Sequence, residues 1–329
     1  MAAALSAIAA CATSMTMAVR HHHLVIDFDG TCTASDTTPL VPHLAARCSP
    51  GEECSILAGF EQLEQEYFAL MQQTKRTALP AEATTTYDPD GLEKALCALD
   101  AVSDQITVKL SRSRILAGIE PSAVAPALAE WRRATDPPTK VACLRDGCAE
   151  TLAAATSEGW QLSVLSLNWC PSLIGAYLPI LAASDSTVYS NDIDPTTGQI
   201  SDAVSGAVAK RTVIARLRHE QGAAVDASGA TGEMGAPSAS APPQVIYLGD
   251  SATDLLALLE ADVGILLGES SSARDIARCF GVRVEPLPVA SSSAAGGTTN
   301  EASAALPRNP EGVVWEAESW ESVRQCLAL

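Results

Sequence analysis

A short apolar run that ends in two aspartates limits the folds open to this chain. Residues 24–26 (LVI) are typical of a strand buried on both faces in a parallel sheet. The segment 27–31 (DFDGT) follows directly and places Asp27 and Asp29 one residue apart. Ligands bind beyond the carboxyl ends of strands in open α/β sheets, so both carboxylates are predicted to lie at a crevice. Neighbouring carboxylates repel each other unless a cation compensates, and that cation is usually Mg²⁺. The alternative interpretation of this segment is an exposed turn, because Asp and Gly are common turn residues.

Two later apolar runs also end in polar residues. Residues 162–165 (LSVL) lead into Ser166, and residues 245–248 (VIYL) lead into a segment that carries Asp250 and Asp254. Because parallel strands end at the same edge of a sheet, we expect these side chains to converge with the first pair of aspartates. The sequence therefore predicts an acidic site assembled from three distant segments.

Two polar residues near these strands have more than one interpretation. Lys210 begins a predicted helix and is the only lysine between Ser166 and Asp250. Its ammonium would suit an anionic ligand, although most lone lysines lie on solvated surfaces. The hydroxyl of Ser166 could contact an anion at a strand-to-helix junction, or it could cap the following helix.

Composition excludes several classes of function. The chain has 329 residues, of which 47% are hydrophobic, so it is long and apolar enough to fold around a sizeable core. A net charge of −18 argues against a nucleic-acid-binding protein and against binding to anionic membranes. The ten cysteines include no Cys-x-x-Cys pair, which argues against a zinc site. A chain of this size needs no disulfide framework, which favours a reducing compartment, namely the cytoplasm, a mitochondrion or a plastid, over secretion.

The elements together predict an α/β fold, a parallel sheet with an inserted helical cap that could act as a lid over the strand ends. The alternative for the insertion is a helical domain that does not touch the crevice. The predicted segments are a transit peptide or disordered leader at 1–20, a core at 21–35 and 139–329, low-complexity loops at 221–243 and 289–310, and the cap at 36–138.

Four segments, in this order, resemble the signature motifs of the haloacid dehalogenase (HAD) superfamily of phosphatases. The segment 27–31 resembles the first motif, Ser166 the second, Lys210 the third and the segment 249–254 (GDSATD) the fourth. This resemblance implies a HAD-like, Rossmann-type parallel sheet. In one branch of the superfamily a helical cap follows the first motif.

The resemblance also implies a role for each matching residue. Asp27 would attack phosphorus to form an aspartyl-phosphate, and Asp29 would protonate the leaving alcohol and then deprotonate water. Mg²⁺ would bind the Asp27 carboxylate, the Asp29 main-chain carbonyl and Asp250, with Asp254 binding directly or orienting these ligands. The implied phosphate-binding residues are Thr31, Ser166 and Lys210.

Longer segments resemble the phosphatase half of plant thiamine-salvage proteins, in which a TenA-like aminopyrimidine hydrolase is fused to a HAD domain that dephosphorylates thiamine monophosphate. The matching segments are DGTCTASD at 29–36, SRILAGI at 113–119, LSLNWC at 165–170 and YLGDSATDLLALLEADVGI at 247–265. The chain departs from that pattern in lacking a TenA-like half and in having Gly30 where a larger apolar residue is typical. The resemblance implies thiamine monophosphate as the small phosphorylated substrate. A phosphoserine-like or nucleotide substrate, or a catalytically silent HAD-fold binding protein, are the alternatives.

Three residues are candidates for substrate contact. Asp36 lies nine residues after Asp27, where phosphoserine phosphatases place an acid that meets the substrate amine, and it would suit a thiazolium or aminopyrimidine cation. Its alternative role is a helix N-cap, with Pro39 just inside the helix. Asn168 and Trp169 follow the second strand, and Trp169 could stack on a cation or belong to the core.

Overall fold

A computed structural model describes residues 22–184, 186–201, 203–229, 243–288, 306 and 308–329. Its strands are β1 His23–Ile26, β2 Gln161–Leu165, β3 Thr187–Tyr189, β4 Val245–Gly249, β5 Val263–Leu267, β6 Arg283–Pro286 and β7 Val313–Ala317. They form one sheet in the order β3-β2-β1-β4-β5-β7-β6, and each neighbouring pair is parallel. The predicted α/β fold with a parallel sheet is confirmed.

Strand β1 lies between β2 and β4, and its four residues are all buried. This explains why residues 24–26 are continuously apolar rather than alternating, since both faces of the sheet are covered. Ile26 is in register with Val164 of β2 and Leu248 of β4. The residues that follow these three strands therefore emerge side by side at one edge of the sheet.

Helices cover both faces of the sheet. They are α1 Leu40–Cys48, α2 Glu53–Ala78, α3 Pro89–Ser113, α4 Pro121–Arg133, α5 Cys148–Ser157, α6 Pro171–Tyr177, α7 Ile180–Ala183, α8 Ala207–Gly229, α9 Leu255–Glu260, α10 Ser271–Cys279 and α11 Trp320–Cys326. Leu24 and Ile26 of β1 point into one hydrophobic core, and Val25 points into a second core on the other face. In the part of the chain that the structure describes, no helix is long and apolar enough to cross a membrane.

Helices α1 to α4 separate β1 from β2 in the chain, and α2 packs along α3. Contacts with the core hold this helical insertion over the carboxyl edge of the sheet. The Asp100 carboxylate of α3 accepts a hydrogen bond of 2.9 Å from the backbone N–H of Ala207, at the start of α8. Glu93 of α3 pairs with Arg211 of α8 at 2.7 Å. The insertion therefore contacts the same helix that carries Lys210.

Two predicted elements differ from the structure. The tail, with Trp315, Trp320, Val323 and Leu327, resembles a helix in its sequence, but Trp315 lies in β7, and the helix begins at Trp320. Val313 and Val314 are fully buried, so this β-branched pair is used as a strand between β5 and β6. The predicted loop at 221–243 also begins too early, because α8 continues to Gly229 through an alanine-rich, helix-favouring stretch.

Parts of three predicted segments lie outside the described residues. They are the leader at 1–20, most of the remainder of the loop at 221–243, and most of the loop at 289–310.

Candidate active site

Asp27 lies at the point where the central strand leaves the sheet, and only 5% of its surface is exposed. A carboxylate oxygen from each of Asp27, Asp250 and Asp254 falls within a group whose members all lie within 4.8 Å of one another. The structure thus brings together residues that the sequence places more than two hundred positions apart. An exposed turn, the alternative for this segment, does not match this burial.

Lys210 is 1% exposed and faces the acidic group, so the alternative of a solvated surface lysine is wrong. Its Nζ donates to Oδ1 of Asp254 at 2.7 Å and lies 3.0 Å from Oδ1 of Asp27. The helix that carries it, α8, packs against α9 and places the ammonium beneath the strand ends. One buried cation therefore joins the first and fourth motifs.

Asp254 is held on both of its carboxylate oxygens. Oδ1 accepts from Lys210 and, at 2.6 Å, from the hydroxyl of Tyr247. Oδ2 accepts from the backbone N–H of Asp250 at 3.1 Å and from the backbone and hydroxyl of Ser251 at 2.9 and 2.8 Å. Of the two roles foreseen for Asp254, these contacts favour orienting its neighbours over binding a metal directly.

Tyr247 was not identified from the sequence, although one signal was present. A tyrosine within a strand buried on both faces must find a partner for its hydroxyl. Tyr247 is fully buried, and its hydroxyl donates to Asp254. It thereby takes part in the chain of contacts that runs from β4 through Asp254 to Lys210.

The charges of this cluster are not balanced within the protein. Burial alone would lower the pKa of Lys210, but Asp254 and Asp27 raise it above its ordinary value. Burial alone would raise the pKa of Asp254, but Lys210 and Tyr247 hold it below its ordinary value. Burial raises the pKa of Asp27 well above its ordinary value, and burial and then Asp254 raise the pKa of Asp250 to about 7. Asp27 and Asp250 are therefore the two carboxyls whose negative charge the surrounding protein does not compensate, and they tend to hold protons instead.

A divalent cation fits between Asp27 and Asp250 for chemical reasons. Mg²⁺ prefers carboxylate and carbonyl oxygens, and these are the donors that the strand ends provide. Lys210 already neutralises Asp254, so a further cation is needed only by the other two carboxylates. The side chains of Asp27 and Asp250 are thus the residues that could hold Mg²⁺.

Asp29 is held by three hydrogen bonds from two other segments. Oδ1 accepts from the backbone and hydroxyl of Thr37 at 2.7 and 2.6 Å, and Oδ2 accepts from Nδ2 of Asn168 at 2.7 Å. Burial and then Asp36 raise the pKa of Asp29, whereas Asn168 and Thr37 oppose that rise. A fixed carboxyl with a raised pKa suits a group that both donates and accepts a proton.

Two predicted contacts have different partners in the structure. Asn168 was a candidate for substrate binding, but its amide holds Asp29 and Thr37 and receives the backbone N–H of Cys170 at 2.9 Å. Thr31 was a candidate for phosphate binding, but its buried hydroxyl donates to Oδ1 of Asp250 at 2.8 Å. Both side chains therefore orient acidic groups, because their polar atoms are already engaged.

The structure excludes the helix-capping alternative for both Ser166 and Asp36. Ser166 is buried and lines the cavity, and its hydroxyl accepts from the backbone N–H of Asn168 at 3.2 Å. The helix that follows is capped at Cys170, so Ser166 is not its cap. Asp36 also lines the cavity, and its carboxylate accepts from Thr38 at 2.8 Å in the turn before α1, so it is not that helix's N-cap.

A cavity of about 580 Å³ lies between the strand ends and the helical insertion. Its strand-end side contains Asp27, Asp29, Ser166, Lys210 and Asp250. The α2 and α3 side contains Phe60, Leu63, Glu64, Tyr67, Phe68, Ser103, Asp104, Ile106, Thr107 and Leu110. Trp169 lines the same cavity and also packs against the core. Its position is therefore compatible both with stacking on a substrate cation and with a role in the core.

The basic residues of the cavity are confined to its strand-end side. Among the described residues that line it, Lys210 and Arg145 are the only ones with a basic side chain. Lys210 lies against Asp27, and Nε of Arg145 donates to the carbonyl of Gly30 at 2.6 Å. The helical wall instead carries the acids Glu64 and Asp104.

Comparison with known sequences identifies a plant relative. "Bifunctional TH2 protein, mitochondrial" of Arabidopsis thaliana is 25% identical over 321 residues, which cover 90% of this chain and 48% of the relative. The chain thus spans about half the length of the curated relative it matches. No protein-family model matches the chain. The predicted resemblance to one half of a bifunctional plant protein is confirmed by this relative.

Several solved structures can be superposed loosely on the chain. A Bordetella pertussis protein of unknown function is 17% identical, with a TM-score of 0.43, over 80% of this chain and 96% of its own. A phosphoserine phosphatase described as a phospho-aspartyl intermediate analogue is 12% identical, with a TM-score of 0.42, over 79% and 91%. A HAD family hydrolase from Salmonella enterica is 16% identical, with a TM-score of 0.41, over 78% and 66%.

Proposed function

We propose that this protein is a Mg²⁺-dependent phosphomonoester hydrolase that acts through an aspartyl-phosphate intermediate. One observation carries the proposal: Asp27, buried beside Lys210 and Asp250, ends the central strand and opens into the cavity. A buried carboxylate there is a fixed nucleophile with a cation on one side. Bound Mg²⁺ would supply the positive charge that lets an anionic nucleophile and an anionic phosphate approach each other.

Each step of the reaction has a residue suited to it. An oxygen of Asp27 forms a bond to phosphorus while the bond from phosphorus to the leaving alcohol breaks, and Asp29 gives its proton to that alcohol. Asp29 then accepts a proton from water as the water attacks the aspartyl-phosphate, which releases phosphate and restores Asp27. Lys210 and Ser166 line the floor of the cavity and are placed to hold the transferred phosphoryl oxygens.

The walls of the cavity favour a substrate with a cationic aromatic group. Tyr67 and Phe68 lie on the α2 wall, where Phe68 is 55% exposed although it is a large apolar side chain. Glu64 lies on the same helix, and Asp36 lies below it in the loop before α1. Aromatic faces and carboxylates together bind cations, so thiamine monophosphate is the substrate we propose.

The same walls argue against phosphoserine. A phosphoserine phosphatase must hold the substrate carboxylate as well as its phosphate, and a basic side chain is the usual partner for a carboxylate. The described lining of the cavity offers basic side chains only at Lys210 and Arg145, which lie at the phosphate side. Thiamine monophosphate has no carboxylate and does not need such a partner.

An organellar location is also proposed. The expected leader at 1–20 is poor in acidic residues, and the name of the Arabidopsis relative includes the word mitochondrial. Fluorescence of a fusion carrying residues 1–35 would test this proposal, and a diffuse cytoplasmic signal would contradict it.

Release of inorganic phosphate from a panel of substrates tests the proposed function. The panel contains thiamine monophosphate, phosphoserine, a nucleoside monophosphate and an aryl phosphate, each measured with Mg²⁺ and with a chelator. We expect the highest kcat/KM for thiamine monophosphate and no turnover with the chelator. Equal kcat/KM values for thiamine monophosphate and the aryl phosphate would refute thiamine monophosphate as the preferred substrate. Turnover that is unaffected by the chelator would refute the Mg²⁺-dependent mechanism.

A further inference from the structure

The loop after the first strand needs a glycine at position 30, and that glycine also leaves the loop conformationally free. Its φ of +77° lies in the left-handed region, and a Cβ at this position would be 2.3 Å from Oδ2 of Asp250. Only glycine allows Asp250 to approach so closely, but glycine is also the residue with the most conformational freedom. Something else must therefore fix this loop.

Arg145 reaches this loop from the segment that returns from the helical insertion to α5. Its backbone N–H donates to the carbonyl of Cys32 at 2.8 Å, and its side-chain Nε donates to the carbonyl of Gly30 at 2.6 Å. The loop is thus held at both ends of the turn by one residue. Thr31, between these two carbonyls, donates to Asp250 at 2.8 Å.

The guanidinium of Arg145 lies beside a second glycine. Gly268 follows β5, and a Cβ there would lie 3.2 and 3.3 Å from the two terminal nitrogens of Arg145. The planar group therefore lies close to Gly268, where an added Cβ would require it to shift by a few tenths of an ångström. Arg145 also lines both the main cavity and a second cleft that shares Asp250 with it.

We propose that Arg145 is a positioning residue for the metal-binding side of the site. It fixes the carbonyl of Gly30, and through Thr31 it sets the orientation of the Asp250 carboxylate. This inference rests on the proposed function, because it assumes that Asp250 binds Mg²⁺. Residues that orient metal ligands typically change metal affinity by roughly 10- to 100-fold when removed.

A second role for Arg145 makes the opposite prediction. If its positive charge only balanced nearby carboxylates, it would repel Mg²⁺, and its removal would strengthen Mg²⁺ binding. If it positions the loop, its removal weakens Mg²⁺ binding, because Asp250 is no longer held. The sign of the change in affinity therefore separates the two roles.

The test is Mg²⁺ binding by isothermal titration calorimetry, in the absence of substrate, for the wild type and Arg145→Met. We expect Arg145→Met to raise the Kd for Mg²⁺ by about tenfold or more. Arg145→Lys retains the positive charge and a hydrogen-bond donor group but lacks the planar guanidinium, so we expect a Kd between those of the wild type and Arg145→Met. An unchanged or lower Kd for Arg145→Met overturns the inference. If that variant does not fold, an unchanged or lower Kd for Arg145→Lys overturns it instead.

Arg218→Met is the matched control. Arg218 also donates to a backbone carbonyl, that of Glu260 at 2.7 Å, and it pairs with Asp262 near the opposite edge of the sheet. We expect this variant to lose some stability but to keep the wild-type Kd for Mg²⁺. A wild type that binds no Mg²⁺ would overturn the proposed function together with this inference, whereas a binding wild type and an equal Arg145→Met would overturn only the role of Arg145.

Discussion

Replacing Lys210 by methionine is expected to damage both the stability and the activity of the protein. The substitution retains most of the apolar stem and removes the ammonium that lies 2.7 Å from Asp254 and 3.0 Å from Asp27. Asp254 is fully buried, so water cannot replace the lost ammonium beside it. Removing one partner from a buried ion pair typically costs about 3–5 kcal/mol.

The deficit in stability should depend on pH with a definite sign. Without Lys210, burial raises the pKa of Asp254 as well as that of Asp27. A carboxyl whose pKa is raised on folding destabilises the folded state above its unfolded pKa, and protonation removes that effect as the pH falls. We therefore expect the difference in the free energy of unfolding between wild type and Lys210→Met to be larger at pH 8 than at pH 5.

Urea unfolding followed by circular dichroism measures this difference, together with phosphate release at saturating substrate. Lys109→Met is the matched control, because Lys109 pairs with Glu66 at a half-exposed position where ion pairs contribute about 0–1 kcal/mol. Adding Asp254→Asn to Lys210→Met should restore part of the lost stability. A loss below about 1 kcal/mol for Lys210→Met, similar to the control, would refute the view that the network is buried and interdependent.

Three further predictions concern separate residues. Asp29→Asn should lower kcat/KM, which reports the step that expels the leaving group, by roughly 10²–10⁴-fold on thiamine monophosphate and less on an aryl phosphate whose leaving group needs no acid; equal losses in kcat/KM would contradict an acid role. Gly30→Ala should weaken Mg²⁺ binding measured by calorimetry, because the added Cβ meets Asp250 at 2.3 Å; wild-type affinity would be inconsistent with this packing. Burial lowers the pKa of His23 from 6.5 to about 4. This histidine therefore does not reduce the free energy of unfolding above pH 6.5, and it reduces that free energy by about 3 kcal/mol as the pH falls towards 4. Urea unfolding should show a flatter pH profile for His23→Gln, and parallel profiles would exclude this histidine as the cause.

The sequence is informative about the sheet edge because the rule behind it is geometric. Mainly apolar runs that end near Asp27, Ser166 and Asp250 are central parallel strands, and such strands must end together. Their convergence could therefore be predicted without knowing any side-chain contact. The burial of Lys210 depended on the family resemblance, since one lysine in a helix has no local signal of its own.

Contacts between distant segments could not be predicted in the same way. Thr37 holds Asp29 together with Asn168, which lies 139 positions away in the chain, and no local pattern marks that pairing. For the same reason Asn168 and Thr31 have polar side chains of the expected type but different partners from those predicted. The tail that contains Trp315 resembles a helix in its sequence, whereas pairing with β5 and β6 places Trp315 in a strand.

Covalent trapping of the phosphoryl group on Asp27 tests the central claim most directly. Protein mixed with thiamine monophosphate and Mg²⁺ is quenched with acid within one turnover, treated with borohydride to convert an acyl phosphate to homoserine, and mapped by peptide mass spectrometry. We expect homoserine at position 27 in the wild type and none in Asp27→Asn. Asn at position 29 slows hydrolysis of the intermediate, so Asp29→Asn should give a stronger signal at position 27 when it is loaded with an aryl phosphate, whose leaving group needs no acid. Modification at another residue, or turnover by Asp27→Asn at the wild-type rate, would contradict Asp27 as the nucleophile.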